Sequence, residues 1–193
     1  MATFFYWMDH IRLKYEKLGA EEYYRQNGDI YENPHYPQVK ALVMRNYARW
    51  NCPQGAILDF CAGGGEVTLA LRERGHQQLA GSDPFTYHLY EKNTGLPCLR
   101  LSFEDLIKGA NPGQYALIIS SFALHLCPEK DLFPVTWALF SAAPILAIIT
   151  PHKRPQLEQI PGVRLLWEDA ELTDRGKKVR LKVYDMPLRG EER

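Results

Sequence analysis

The chain has 193 residues, 46% of them hydrophobic, 24% charged and 12% aromatic, which fits one globular domain with enough apolar surface to offset chain entropy and excludes disorder as the main state. Twenty-three Lys plus Arg balance twenty-three Asp plus Glu, so the long-range field that draws basic proteins onto nucleic acid is missing and a dedicated phosphate-backbone binder is disfavoured.

The first 50 or so residues read as helical and are rich in aromatics, among them Tyr6, Trp7, Tyr15, Tyr23, Tyr24, Tyr31, Tyr36 and Tyr47. Gly28, Pro34 and Pro37 interrupt them with turns. From residue 55 short apolar runs alternate with helical patterns, the signature of a parallel sheet covered on both faces. The runs predict strands over 56–60, 78–83, 97–103, 115–121 and 144–150. Val67, Ala70 and Leu71 recur at helical spacing between the first two, with Gly75 as the stop. Pro84 is placed to open the next helix and Gly95 to close it, and Pro134 predicts two shorter helical pieces after strand four. Beyond Thr150, alternating segments at 163–172 and 177–186 flank the turn at 173–176 and read as an antiparallel hairpin. The expected fold is α/β: a Rossmann-like, seven-stranded, mostly parallel sheet with an antiparallel C-terminal hairpin and helices on both faces. It forms one domain, residues 1–193, with a helical lid over 1–50 and the core over 55–193.

No apolar run approaches the roughly 20 residues that span a bilayer, and the aromatic opening meets Asp9, His10 and Arg12 at once, unlike a secretory leader. Cys52, Cys61, Cys98 and Cys127 form neither a CxxC pair nor a Cys/His cluster, so a cytoplasmic location and no metal site are expected.

The stretch that carries most chemistry is 56–75. A strand runs through Asp59 into a loop with Gly63, Gly64 and Gly65, then a helix. Three glycines let a ligand approach the backbone and turn amides toward its acceptors, and in open parallel sheets ligands lie beyond the carboxyl ends of the strands, near the switch in strand order.

This run resembles the first motif of class I S-adenosylmethionine-dependent methyltransferases: a hydrophobic strand, an acid, then a Gly-x-Gly-type loop. Cys61 stands where many members carry the loop's first glycine. The resemblance implies S-adenosyl-L-methionine as cofactor, with Asp59 acting on its methionyl end and the Gly63–Gly65 backbone packing on the adenosyl moiety. It also calls for an acid at the end of strand two to hold the ribose hydroxyls, and Asp83, followed by Pro84, is there; capping of the next helix is the ordinary alternative. For the adenine edge the resemblance implies Ser102 and the Phe103 amide, with Glu104 or Asp105 nearby; Ser102 and Asp105 suit a helix cap equally well. Segment 115–133 resembles the fourth-strand region of branches that act on small molecules and some proteins. If the residues after that strand stay extended, Ser121, Ala123 and His125 share one side, which makes His125 the candidate base. The Asp/Asn-Pro-Pro-aromatic tetrapeptide of amino-methylating nucleic-acid enzymes is missing, and the Lys-Asp-Lys-Glu set of ribose-methylating ones finds no placement.

Fewer than fifty residues follow strand five, so the substrate cover falls to 23–37, where Tyr24, Tyr31, Asn33 and His35 offer hydroxyl, amide and imidazole groups. From Thr150 onward ten basic residues face eight acidic ones, as on a solvated hairpin edge. The reading is methyl transfer to an O or N nucleophile of a small molecule. A protein substrate or partner is second, nucleic acid is disfavoured, and no membrane is involved. Two rivals stay open: a cofactor-binding, non-catalytic partner of another methyltransferase, and an NAD-dependent oxidoreductase, whose G-x-G-x-x-G is matched by Gly63 and Gly65 but not by Thr68.

Overall fold

Alternate residues of the central strands face two separate cores. The computed structural model describes residues 20–27, 32–50 and 55–187. Helices α1 (Ala20–Asn27) and α2 (Tyr36–Asn46) precede β1 (Ile57–Phe60), α3 (Glu66–Glu73), β2 (Leu79–Ser82) and α4 (Tyr87–Thr94). Then come β3 (Cys98–Leu99), α5 (Phe103–Ile107), β4 (Leu117–Ser121), α6 (Glu129–Ala142), β5 (Ile145–Thr150), β6 (Arg164–Leu172) and β7 (Lys178–Asp185). Ile57, Leu117, Ile119, Ala147 and Ile149 face a core shared with α2 and α3, including Leu42, Val43, Val67 and Leu71. Leu58, Phe60, Ile118, Leu146 and Ile148 face the opposite core, with Leu106, Val135 and Leu139. The period of two along each strand thus divides the apolar residues between two layers of helices.

The seven strands run in the order β3-β2-β1-β4-β5-β7-β6. β1 pairs in parallel with β2 on one side and β4 on the other, while β7 is antiparallel to both β5 and β6. The connections leaving β1 and β4 therefore diverge, and the carboxyl ends of these two strands open a crevice. The hairpin closes the sheet as the sequence predicts, and Arg45 of α2 ties it down through Asp169 and Glu171 at 2.9 and 2.6 Å. No helix among the described residues is long and apolar enough to cross a membrane.

Four local expectations fail. Strand three is only Cys98–Leu99, and Phe103 begins a helix instead of ending a strand. The cause is a reciprocal cap: the Ser102 hydroxyl accepts the Asp105 N–H while the Asp105 carboxylate accepts the Ser102 N–H, at 3.1 and 2.9 Å. Pro134 does not divide the segment after β4, because α6 runs through it. The ring sits near the helix start, where one missing hydrogen bond costs less than the packing of Val135, Thr136, Leu139 and Ala142 supplies. Pro84 does not open α4. The Asp83 carboxylate accepts the N–H groups of Phe85 and Thr86 at 2.9 and 2.7 Å, so a turn intervenes and the helix starts at Tyr87. The segment after β4 is not extended: Leu124–Leu126 form a 3₁₀ turn, and Phe122 adopts φ +56°.

Candidate active site

The glycine loop turns back over the end of β1 with Cys61, Gly63 and Gly65 all in the left-handed region, at φ +56°, +58° and +87°. Cys61 thus keeps the backbone conformation that favours glycine, at the strain a side chain brings there. The three glycines divide their work. Gly63 lies in the wall of a cavity of about 940 Å³. A Cβ on Gly65 would stand 2.6 Å from Thr94 Cγ2, and the Gly64 carbonyl accepts a 2.9 Å bond from Asn93, so these two glycines seat α4.

Asp59 points beneath the loop. It is fully buried and absent from the cavity wall, and its Oδ2 accepts the backbone N–H and the hydroxyl of Thr68 at 3.0 and 2.9 Å. The carboxyl oxygen therefore caps the start of α3 from the neighbouring strand. Burial without a cationic partner lifts its pKa to about 8. Thr68 in turn pairs with the Tyr90 hydroxyl at 3.1 Å. Glu66, the first residue of α3 and half-buried, is pushed up to about 7 by desolvation.

Asp83 stands in the cavity wall, 7% exposed. Its Oδ1 takes the two amides of the following turn, and its Oδ2 accepts the Gly63 N–H at 3.1 Å. Thr86 adds a hydroxyl bond to the Gly63 carbonyl at 3.1 Å. Capping is thus realised, and the same carboxylate clamps the first two loops together at the cavity. Pro84, Ser102 and Phe103 complete this side of the wall, with Glu104 at its margin.

Ser121 lines the opposite side, at the end of β4, and its buried hydroxyl has no hydrogen-bond partner. Phe122 and Ala123 follow it in the wall. His125 does not: the 3₁₀ turn carries its imidazole against His152, with ring centroids 5.0 Å apart, and its buried Nδ1 is unpartnered. Burial, with His152 and Arg154 adding positive charge, lowers its pKa to about 4, so it is neutral at pH 7.

From the N-terminal segment, Tyr24 of α1 reaches the wall and lies nearly parallel to Phe85, 9° between planes and 6.4 Å between centroids. Asn33 and His35 are outside the wall. The Asn33 side chain accepts the His35 N–H at 2.9 Å, and the His35 ring stacks on Phe122 at 5.1 Å and 17°. Tyr31 lies outside the described residues.

Sequence reasoning missed the Asp59–Thr68–Tyr90 chain, Thr86 and the aromatic Phe122. One signal was present: Gly81 sits inside a strand, and a Cβ there would stand 2.2 Å from Tyr90 Cζ, the close approach that an interior strand glycine announces.

No protein-family model matches the chain. An uncharacterized protein of Schizosaccharomyces pombe is 28% identical, over 72% of this chain and 74% of its own. The magnesium protoporphyrin IX methyltransferase of Synechocystis, solved with bound S-adenosylmethionine, superposes with a TM-score of 0.64 at 17% identity, covering 93% of this chain and 96% of that one. An N-methyltransferase from Bradyrhizobium japonicum, in complex with S-adenosyl-L-homocysteine, gives a TM-score of 0.60 at 10% identity over 86% and 99%. A ribosomal-protein methylase from Lactobacillus delbrueckii gives 0.58 at 14% over 81% of each. With the strand order, the antiparallel β7 and the glycine loop at the switch point, these likenesses show that the chain has the fold of class I S-adenosylmethionine-dependent methyltransferases.

Proposed function

We propose that the protein is an S-adenosylmethionine-dependent methyltransferase acting on an oxygen or nitrogen nucleophile of a small molecule. The observation that carries this reading is convergence: Gly63, Asp83 and Ser121, whose hydroxyl has no protein partner, line one cavity at the switch between β1 and β4.

The cavity's volume of about 940 Å³ is in the range that encloses a cofactor-sized ligand with space for an acceptor. A carboxylate offers about four acceptor positions; backbone amides take three at Asp83, which leaves capacity for a ribose hydroxyl. Gly63 gives close backbone approach, Phe85 and Phe103 supply flat apolar walls for a purine, and Ser121 offers a hydroxyl that no protein group satisfies. The residues fit the cofactor.

When bound, S-adenosylmethionine supplies a methyl group already activated as a sulfonium. The chain's own task is then alignment of nucleophile and methyl carbon, where positioning can contribute several kcal/mol or more. Tyr24 and Phe85, nearly parallel in the wall, offer aromatic faces to positive charge. Proton removal is the smaller part, and His125, outside the wall and lowered to about 4, is a weak base for it. The solved relatives act, by their names, on a tetrapyrrole and a ribosomal protein, so one fold serves different acceptors. The apolar wall of Phe122, Ala123 and Leu126 and the zero net charge support a small molecule here.

Calorimetric titration with S-adenosylhomocysteine and with NADH tests the cofactor, and a methyl-transfer assay on metabolite and protein extracts then finds the acceptor. Micromolar binding of S-adenosylhomocysteine without NADH binding is expected. Preference for NADH overturns the reading.

A further inference from the structure

Phe122 is a bulky residue held at φ +56°. Outside glycine, and to a lesser degree Asn and Asp, that conformation costs on the order of 1–2 kcal/mol and persists only where its surroundings over-determine it. Besides the packing of Phe122 against the core shared with α2 and α3, two contacts do so here. The Phe122 N–H donates to the Ile149 carbonyl at 2.8 Å, which anchors the backbone to β5. The ring is stacked face to face with His35, 5.1 Å and 17°.

His35 is itself fixed chiefly through its backbone, and its imidazole also hydrogen-bonds the Gln38 side chain. It occupies the residue before α2, its N–H bonded to Asn33 Oδ1 and its carbonyl accepting the N–H groups of Gln38 and Val39, both at 3.0 Å. α2 is anchored in turn by Val39, Leu42 and Val43, all fully buried. A rigid helix start therefore presses an aromatic face onto the residue that directly follows Ser121, whose buried hydroxyl in the cavity wall lacks a partner.

We infer that His35 is a positioning residue: through its stack on Phe122 it holds the left-handed bend after β4 and so presents the Ser121 hydroxyl to the bound cofactor. This rests on the methyltransferase reading for the identity of the ligand, not for the bend itself. It assigns the imidazole neither contact with the ligand nor acid–base work; the aromatic face is what matters.

The test is a double-mutant cycle on S-adenosylhomocysteine affinity, run beside hydrogen exchange of the Phe122 amide in the ligand-free protein. Ser121→Ala and His35→Ala should each weaken binding by about three- to tenfold, the span of one ordinary hydrogen bond, and the double variant should be no weaker than the weaker single one. His35→Phe keeps the stack and should bind within about twofold of the unaltered protein. His35→Ala should speed exchange of the Phe122 amide about tenfold or more, and His35→Phe should restore protection. An unaffected Ser121→Ala, independent losses that multiply, a His35→Phe as weak as His35→Ala, or an unchanged Phe122 exchange rate each overturns the inference. If the unaltered protein does not bind S-adenosylhomocysteine, the functional reading fails, and the exchange rates still decide whether His35 holds the bend.

Discussion

Asp83 accepts the backbone N–H of Gly63 at 3.1 Å, twenty residues away along the chain, and this bond joins the loop after β1 to the loop after β2 in the wall of the cavity. The same carboxylate supports the turn into α4. One side chain thus determines both the shape of the site and the geometry of its walls.

Asp83→Ala should therefore act on stability as well as on binding. Three N–H groups, two of them buried and that of Phe85 half-buried, lose their acceptor, and each buried unsatisfied donor costs about 1–3 kcal/mol before water enters. We expect a loss of about 2–4 kcal/mol in urea unfolding, together with at least about a hundredfold weaker S-adenosylhomocysteine binding, since the ribose acceptor goes too. Asp83→Asn keeps one accepting oxygen for Phe85 and Thr86 but turns an amide donor toward the Gly63 N–H, and should fall between the two. A variant that binds poorly with unaltered stability would refute the clamp.

Gly81 has no room for a methyl group. With the Tyr90 ring 2.2 Å from the position a Cβ would take, Gly81→Ala must displace either β2 or a fully buried tyrosine, at about 3 kcal/mol or more. Tyr90→Phe should cost only about 1 kcal/mol, the bond to Thr68. If overpacking is the cause, shrinking the ring recovers the loss, so Gly81→Ala combined with Tyr90→Leu should be less destabilised than the sum of the two singles. Thermal unfolding of the four proteins checks this; strict additivity excludes it.

His125→Ala should leave S-adenosylhomocysteine affinity within about twofold, because the imidazole packs on His152 outside the cavity wall. Turnover should fall by less than about tenfold once an acceptor is found, since alignment and not proton removal dominates. A loss of a hundredfold or more in kcat at unchanged KM would restore His125 as the base that an extended post-β4 segment implied.

The parts of the molecule legible in the sequence are those dictated by periodicity. Helical spacing at Val67, Ala70 and Leu71 and the alternation of the hairpin are visible as periods, whereas the central strands show only as continuous apolar runs, which do not say that Ile57 faces one core and Leu58 the other; Gly63 and Asp83 were within reach through the resemblance of the glycine loop to the methyltransferase motif. The short helix after β3 was written in the sequence as the pair Ser102 and Asp105 three positions apart, a capping pattern, but the apolar run around it suggested strand. Asp59 reads the same whether its carboxylate faces a ligand or the amides of its own helix; only the three-dimensional path turns it toward Thr68. The bend at Phe122 had no signal at all, because a left-handed phenylalanine is imposed by the partners that hold it.

Asp59 makes stability fall as pH rises in the ligand-free protein. Its folded-state pKa of about 8 is above the ordinary 3.8, so between those values the folded state keeps a proton that the unfolded chain has released. Stability then declines with pH, by up to about 1.4 kcal/mol per pH unit for one proton, and levels off above the folded pKa. Glu66, raised from 4.5 to about 7, acts in the same sense. His125, lowered from 6.5 to about 4, opposes both between those two values, because there the unfolded chain holds the extra proton. From pH 6.5 to 8 the histidine's contribution fades as the unfolded imidazole loses its proton, Glu66 fades near 7, and Asp59 dominates. Urea unfolding across that window should show decreasing stability, and Asp59→Asn, which stays neutral, should flatten the decline above pH 7. A slope unchanged by the substitution would mean that Asp59 is already ionised in the folded protein at neutral pH.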